Sequence, residues 1–150
     1  MNILRFMIPK SLVSYVEDDS TVRQALEKMR FHRYAAIPVL DKEGRYVGTL
    51  RNDDLLNYFL ESGSFDTKEA EGDQVSLLLS GSYTAVHHDA TVNEIIERVK
   101  EHNFVPVVDD RECFIGIRLR RDILNFLLEY YEGKREGRKE SNCQGGQINV

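Results

Sequence analysis

Three features of the sequence predict an α/β fold made of two tandem copies of one strand-helix-strand-strand-helix unit. Two helix starts share one design, Thr21-Val22-Arg23-Gln24 and Thr91-Val92-Asn93-Glu94. Two apolar runs each carry a proline, AAIPVL from Ala35 and FVPVV from Phe104. Finally, Pro38 and Pro106, Gly48 and Gly116, and Asp54 and Asp122 keep one constant offset, which chance similarity rarely produces.

Each element has a local cause. In both helix starts a threonine oxygen and the Gln or Glu three residues on satisfy the first free backbone amides, a capping box. Val22, Ala25, Leu26 and Met29, matched by Val92, Ile95, Ile96 and Val99, recur at i, i+3, i+4, i+7, so each helix buries one stripe. The proline-containing runs follow as strands, and because proline has no amide to donate, each signals an edge strand or an interrupted ladder. Asp41-Lys42-Glu43-Gly44 and Asp109-Asp110-Arg111-Glu112 turn the chain into second strands, YVGTL and FIGIR. NDDLLNYFL and RRDILNFLLEYY close the units as helices. Leu55, Leu56, Tyr58, Phe59 and Leu60 in the first, and Ile123, Leu124, Phe126, Leu127, Leu128, Tyr130 and Tyr131 in the second, wrap more of each helix than one sheet can cover. A homodimer through both helices is therefore expected.

The units are read as 3–60 and 74–131. ESGSFDTKEAEGD, with turn formers and little apolar content, is the connector 61–73, and a short helix over Gln74 to Leu79 is expected after it. Residues 132–150, polar and glycine-rich, bury too little surface to offset their ordering entropy and read as a disordered tail, with a partner-binding peptide as the alternative.

Composition narrows function. The chain has 150 residues, 41% of them hydrophobic, enough for one core or two small ones sharing a surface. No run approaches the roughly 20 apolar residues of a membrane span, and MNILRFMIPK lacks a secretory apolar stretch, so a cytoplasmic protein without a membrane partner is expected. Cys113 and Cys143 share no metal-ligand spacing and read as free thiols. A net charge of -5 argues against nucleic acid as a partner. His87 and His88, adjacent on a strand end, point to opposite faces, so no metal is expected. Asp53 and Asp54, neighbours on a helix, do not face each other, and no nucleophile-base set emerges. The chain is read as a non-enzyme.

GTLRNDDLL from Gly48 and GIRLRRDIL from Gly116 resemble the signature of the cystathionine-β-synthase (CBS) domain: glycine, strand residues, Thr or Ser, two residues, then Asp. The resemblance covers residues 3 to 131. It implies two tandem CBS repeats packed by a pseudo-twofold into one disc, a Bateman module, whose clefts bind AMP, ATP, S-adenosylmethionine or cyclic di-AMP. FMIPKSLVSYV, RYAAIPVLD and HNFVPVVDDRECFIGIRLRRDIL are further similar to the small stand-alone cyclic-di-AMP-binding CBS proteins of Gram-positive bacteria. The chain departs from these at Leu119, where the signature has Thr, and at Leu12, where lysine is expected. Both changes remove a polar contact.

Candidate ligand contacts follow. Arg51 at one strand-to-helix junction and Arg118, Arg120 and Arg121 at the other can add charge-assisted hydrogen bonds to a phosphate at a helix N-terminus; solvated surface charges are the alternative. Tyr34, Ala35, Ala36 and Ile37 let a flat base approach the backbone, with Ser14 alongside; small residues kept for packing are the alternative. Asp54 and Asp122 fill positions where the resemblance implies a carboxylate on the ribose hydroxyls, and otherwise read as first-turn acids favoured by the helix dipole. The matching loop of the second repeat is shorter and carries Asn103 and Phe104, so its pocket is expected to be narrower or filled. The function expected is an adenine-nucleotide-sensing regulator of an unidentified target protein. Cyclic di-AMP is the favoured ligand, held between Ser14, Tyr34 to Ile37, Arg120 and Arg121, with no other cofactor. An AMP or ATP sensor, or a ligand-free interaction module, are the alternatives.

Overall fold

The computed structural model describes residues 3–63, 68–81 and 83–144. After a 3-10 turn at Ile3–Phe6 the strands and helices run β1 (Ile8–Pro9), β2 (Val16–Glu17), α1 (Val22–His32), β3 (Ala36–Leu40), β4 (Tyr46–Arg51), α2 (Asn52–Ser62), β5 (Val86–His87), α3 (Val92–Val99), β6 (Phe104–Val108), β7 (Phe114–Leu119) and α4 (Arg120–Gln144). The expected unit appears twice, as β2-α1-β3-β4-α2 and β5-α3-β6-β7-α4. Both capping boxes form: Thr21 Oγ1 accepts from the Gln24 amide at 3.1 Å, and Thr91 Oγ1 from the Glu94 amide at 3.3 Å. Val22, Ala25 and Met29 of α1 and Ile95 and Val99 of α3 are buried, as the stripes predict.

Each repeat has its own sheet. In the first, β3 pairs parallel with β2 and antiparallel with β4; in the second the order is β1-β7-β6-β5. The prolines do not mark edge strands, since β3 and β6 are interior. The ladder is interrupted instead. β2 reaches only Val39 and Leu40, and β5 only Val107 and Val108, so the amides missing at Pro38 and Pro106 face no partner strand. β1 crosses over and pairs antiparallel with β7, Ile8 opposite Ile117 and Pro9 opposite Gly116.

Val16, Ile37, Val39, Leu50 and Leu55 centre the first repeat's core, and Val86, Ile95, Val105, Val107 and Ile123 the second's. Between them, Val13, Leu40 and Phe114 form a third cluster. A pseudo-twofold relates the repeats, and its axis passes between Arg45 and Cys113, which form an isolated antiparallel bridge. The Tyr46 amide donates to the Glu112 carbonyl at 3.1 Å and the Phe114 amide to that of Gly44 at 2.9 Å, mates across the axis, while the rings of Tyr46 and Phe114 stack at 6.4 Å.

Two expectations about connecting segments change. The segment after the connector is a 3-10 turn, Val75–Leu78, shorter than the helix expected at Gln74 to Leu79. α4 continues to Gln144, well into the segment read as a disordered tail. The Lys, Arg and Glu residues that make this stretch polar are also good helix formers, and extending a helix already seated on the sheet needs no new nucleus. Residues 64–67 of the connector and 145–150 of the tail lie outside the described residues. Among those described, no helix is long and apolar enough to cross a membrane, and no group of three or more His, Cys, Asp or Glu side chains is placed to hold a metal.

Candidate functional site

The loops that enter β3 and β6 are drawn onto the N-termini of the closing helices by equivalent hydrogen bonds. The Asn52 amide donates to the Ala35 carbonyl at 3.0 Å, and the Arg120 amide to that of Asn103 at 2.8 Å. Ala35 and Asn103 are mates under the pseudo-twofold, and around them the repeats leave a cleft of about 430 Å³. The first repeat contributes Val13, Arg33, Tyr34, Ala35, Ala36 and Pro38; the second contributes Asn103, Phe104, Ile117 and Leu119. Ile8 and Leu12, on and after the crossing strand β1, complete the wall. Most of this lining is apolar, with the Arg33 guanidinium and the Asn103 amide as polar groups, a composition suited to holding the faces of a flat ring.

Two hollows adjoin the cleft. One of about 270 Å³ shares Ala35, Ala36 and Asn103 with it and is otherwise polar, lined by Arg51, Asn52, Asp53, Tyr83, Glu101 and His102. The other, of about 570 Å³, shares Asn103 and Leu119 and runs along α4 past Arg120, Arg121, Leu124, Asn125 and Leu128.

The expected contacts separate in the structure. Tyr34, Ala35 and Ala36 line the cleft. Ser14 acts at one remove: its hydroxyl is 2.9 Å from His32 Nε2, and the His32 ring stacks on Tyr34 at 5.3 Å. Ile37 does not line the cleft, because alternation along β3 turns its side chain into the first core, where it is fully buried. Arg118 does not line the cleft either. It is fully buried on β7 with its guanidinium 5.6 Å from the Phe6 ring centre, and burial pushes its pKa below the ordinary arginine value while nearby Asp122 acts in the opposite direction.

Asp54 is likewise committed within the fold. Its carboxylate is 3% exposed, accepts from the Arg51 amide at 2.9 Å and pairs with the Arg51 guanidinium at 3.1 Å. This pairing raises the Arg51 pKa above its ordinary value. Arg51 still borders the polar hollow, where Asp53 rather than Asp54 faces the opening. Arg120 Nε donates to the carbonyls of Val99 at 2.8 Å and His102 at 3.1 Å, tying the end of α3 to the start of α4. Arg121 is exposed on the α4 groove, and Asp122 lies beside it, its carboxylate 3.9 Å from Arg121 Nε. Asp54→Ala is therefore expected to act on stability: loss of a buried acceptor at the third position of α2 costs about 2 kcal/mol, measured by urea denaturation.

Residues outside the expected contact set complete the cleft. Arg33 reaches it by ending α1 in the left-handed conformation, φ 57°. Asn103 and Phe104 are the images of Ala35 and Ala36 under the constant offset, so the repeat itself carried the signal that the opposite wall comes from the same loop. Leu12 and Leu119, the two departures from the family pattern, both line the cleft.

The CBS domain family model matches residues 6–61 and 78–129. The chain belongs to the CBS-domain family. Cyclic di-AMP receptor B of Bacillus subtilis (strain 168) is 25% identical over 123 residues, covering 82% of this chain and 84% of the relative. The crystal structure of the Listeria monocytogenes CbpB protein in complex with cyclic di-AMP matches with a TM-score of 0.77 at 23% identity, covering 88% of this chain and 98% of that one. CBSX2 in complex with AMP matches with a TM-score of 0.68 at 23% identity, covering 87% and 98%. These likenesses establish the fold: two CBS repeats in a Bateman module.

Proposed function

We propose that this CBS protein is an adenine-nucleotide sensor that binds cyclic di-AMP in the cleft between its repeats and signals occupancy to a target protein without chemically changing the ligand. The observation that carries the reading is the cleft itself, about 430 Å³ with walls from both repeats, so a ligand there bears on how the repeats pack. One adenine lies against Ala35, Ala36 and Pro38. The continuation past Leu119 into the α4 groove gives the second half of a cyclic dinucleotide room and brings its phosphates toward Arg121. A mononucleotide would need only the first cavity. The sequence relative named a cyclic di-AMP receptor supports the same choice.

Leu124 and Leu128 belong both to this groove and to the outer face of α4. With Tyr131 of α4, and Leu56 and Leu60 of α2, they form apolar helix faces each about half exposed or more. We place a second copy of the chain there, so that the groove ligand touches the dimer surface. Light scattering at micromolar concentration is expected to give a dimer, and Leu128→Asp, present twice in a symmetric interface, a monomer.

The test of the ligand is scanning fluorimetry with cyclic di-AMP, AMP, ATP and S-adenosylmethionine, since a ligand at 100 times its Kd stabilises by about 2.7 kcal/mol. Arg121→Ala is expected to weaken cyclic di-AMP roughly tenfold by calorimetry and to leave any AMP binding unchanged. Preferential AMP binding that tolerates Arg121→Ala would remove the cyclic dinucleotide and keep the nucleotide sensor.

A further inference from the structure

The pseudo-twofold gives the cleft a mate on the other side of the Ala35–Asn103 contact, and that mate is narrowed to the polar hollow of about 270 Å³. The offset between the two threonine caps maps Val13 onto Tyr83, and the offset between the two prolines maps Tyr34 onto His102 and Ala36 onto Phe104. At each of the outer positions the second side carries an aromatic ring where the open side carries a small apolar side chain. Tyr83 is 7% exposed, its ring stacked on His102 at 3.7 Å and 29°, and tilted against Phe104 at 5.2 Å.

We propose that Tyr83 is a built-in occupant of a second nucleotide pocket, its ring standing where an adenine would lie, so that the wild-type chain holds one nucleotide and not two. The inference rests on the reading of the open cleft as a nucleotide site. The ring lies against His102 and Phe104 at the entry to β6, the position that the small residues Ala35 and Ala36 leave free on the open side. Burial raises the Tyr83 pKa, while the backbone of Phe104 and Asn103 beside its hydroxyl acts in the opposite direction, which places the polar edge of the ring against the loop backbone. The remainder of a mononucleotide site is present in front of the ring. Tyr83 forms the floor of the polar hollow of about 270 Å³, whose rim carries Arg51 at the N-cap of α2. An adenosine monophosphate is the class of ligand this space takes once the ring is removed: base in place of the ring, phosphate at Arg51 and the start of α2.

Calorimetric titration of the full chain with AMP and, separately, cyclic di-AMP tests the inference. Tyr83→Val, which copies the residue of the open side, is expected to bind one more equivalent of AMP per chain than wild type, whereas Tyr83→Phe, which keeps the ring, is expected to match wild type. Equal AMP counts for Tyr83→Val and wild type would overturn the proposal. A wild-type chain that takes up neither nucleotide would defeat the reading of the open cleft, and the AMP count of Tyr83→Val would still decide whether the ring closes a site. Circular dichroism checks each fold. Should Tyr83→Val fail it, Val13→Tyr decides by transplanting the ring to the open side: loss of the binding wild type shows supports the equivalence, and undiminished binding refutes it.

Discussion

Replacing Gly116 by alanine is expected to unseat the N-terminal strand, lowering stability by about 3 kcal/mol and abolishing nucleotide binding with it. Gly116 lies on β7 opposite Pro9, and a Cβ built there would stand 2.3 Å from the Ile8 carbonyl oxygen and 2.9 Å from Met7 Cγ. The methionine can rotate away; the carbonyl cannot, because it belongs to the paired backbone. Overpacking alone typically costs about 1–3 kcal/mol, and here it also breaks the short β1–β7 ladder, which sets the expectation at the upper end. The loss reaches the cleft because Ile8 lies on β1, and Leu12 and Val13 follow it into the wall. Gly48, the equivalent residue of the first repeat, supplies the control. The nearest atoms to a Cβ there all belong to the Leu79 side chain, Cδ1 at 3.1 Å, whose end can shift, so Gly48→Ala should cost below about 1 kcal/mol. Urea denaturation of the two variants, compared at equal slope, measures the difference. An unchanged midpoint for Gly116→Ala would show that β1 does not sit on β7.

The same strand shows where sequence reading stops. The repeat is legible because its marks are local or periodic: a threonine with its partner three residues on, a stripe at helical spacing, landmarks at one offset. β1 has no such mark. FMIPKSLVSYV reads as the opening of the first unit, yet Ile8 and Pro9 pair with a strand more than a hundred residues away, and no short-range signal records that choice. Of the residues that line the cleft, Ala35 and Ala36, with Tyr34 before them, are legible because small residues at the start of a strand leave room. Ile37 is lost to the core by simple alternation. Arg118 defeats composition: an arginine reads as surface, but at the place equivalent to the buried Leu50 it is enclosed against Phe6. Asp54 and the Nε of Arg120 are charged groups at the expected junctions that bond neighbouring protein groups, which residue type alone does not disclose. Arg33 enters the cleft only because α1 ends on it with a positive φ, a fact available once the end of the helix is known.

The difference between Ala36 and Phe104 is expected to decide binding at the open cleft. These two residues begin β3 and β6 at equivalent positions and both line the cleft, so space on the first-repeat side depends on Ala36 ending at a methyl group. Ala36→Phe adds a phenyl ring to a space of about 430 Å³, at the wall where the adenine is placed. The ring cannot withdraw into the first core, because Ile37 and Val39 beside it are fully buried in a packed cluster. It must lie in the cleft and compete directly with the base. A loss of at least about a hundredfold in nucleotide affinity is expected, close to 2.8 kcal/mol at about 1.4 kcal/mol per factor of ten. Stability should change by less than about 1 kcal/mol, since Ala36 is only partly buried and the ring finds apolar neighbours in Phe104, Ile117 and Leu119. Ala36→Gly separates volume from position: it removes a methyl group from the same wall, leaves the room intact and should keep affinity within about threefold, which is below 1 kcal/mol. Calorimetry on the three proteins reads affinity and urea denaturation reads the fold. Wild-type affinity in a folded Ala36→Phe chain would mean that the nucleotide lies elsewhere.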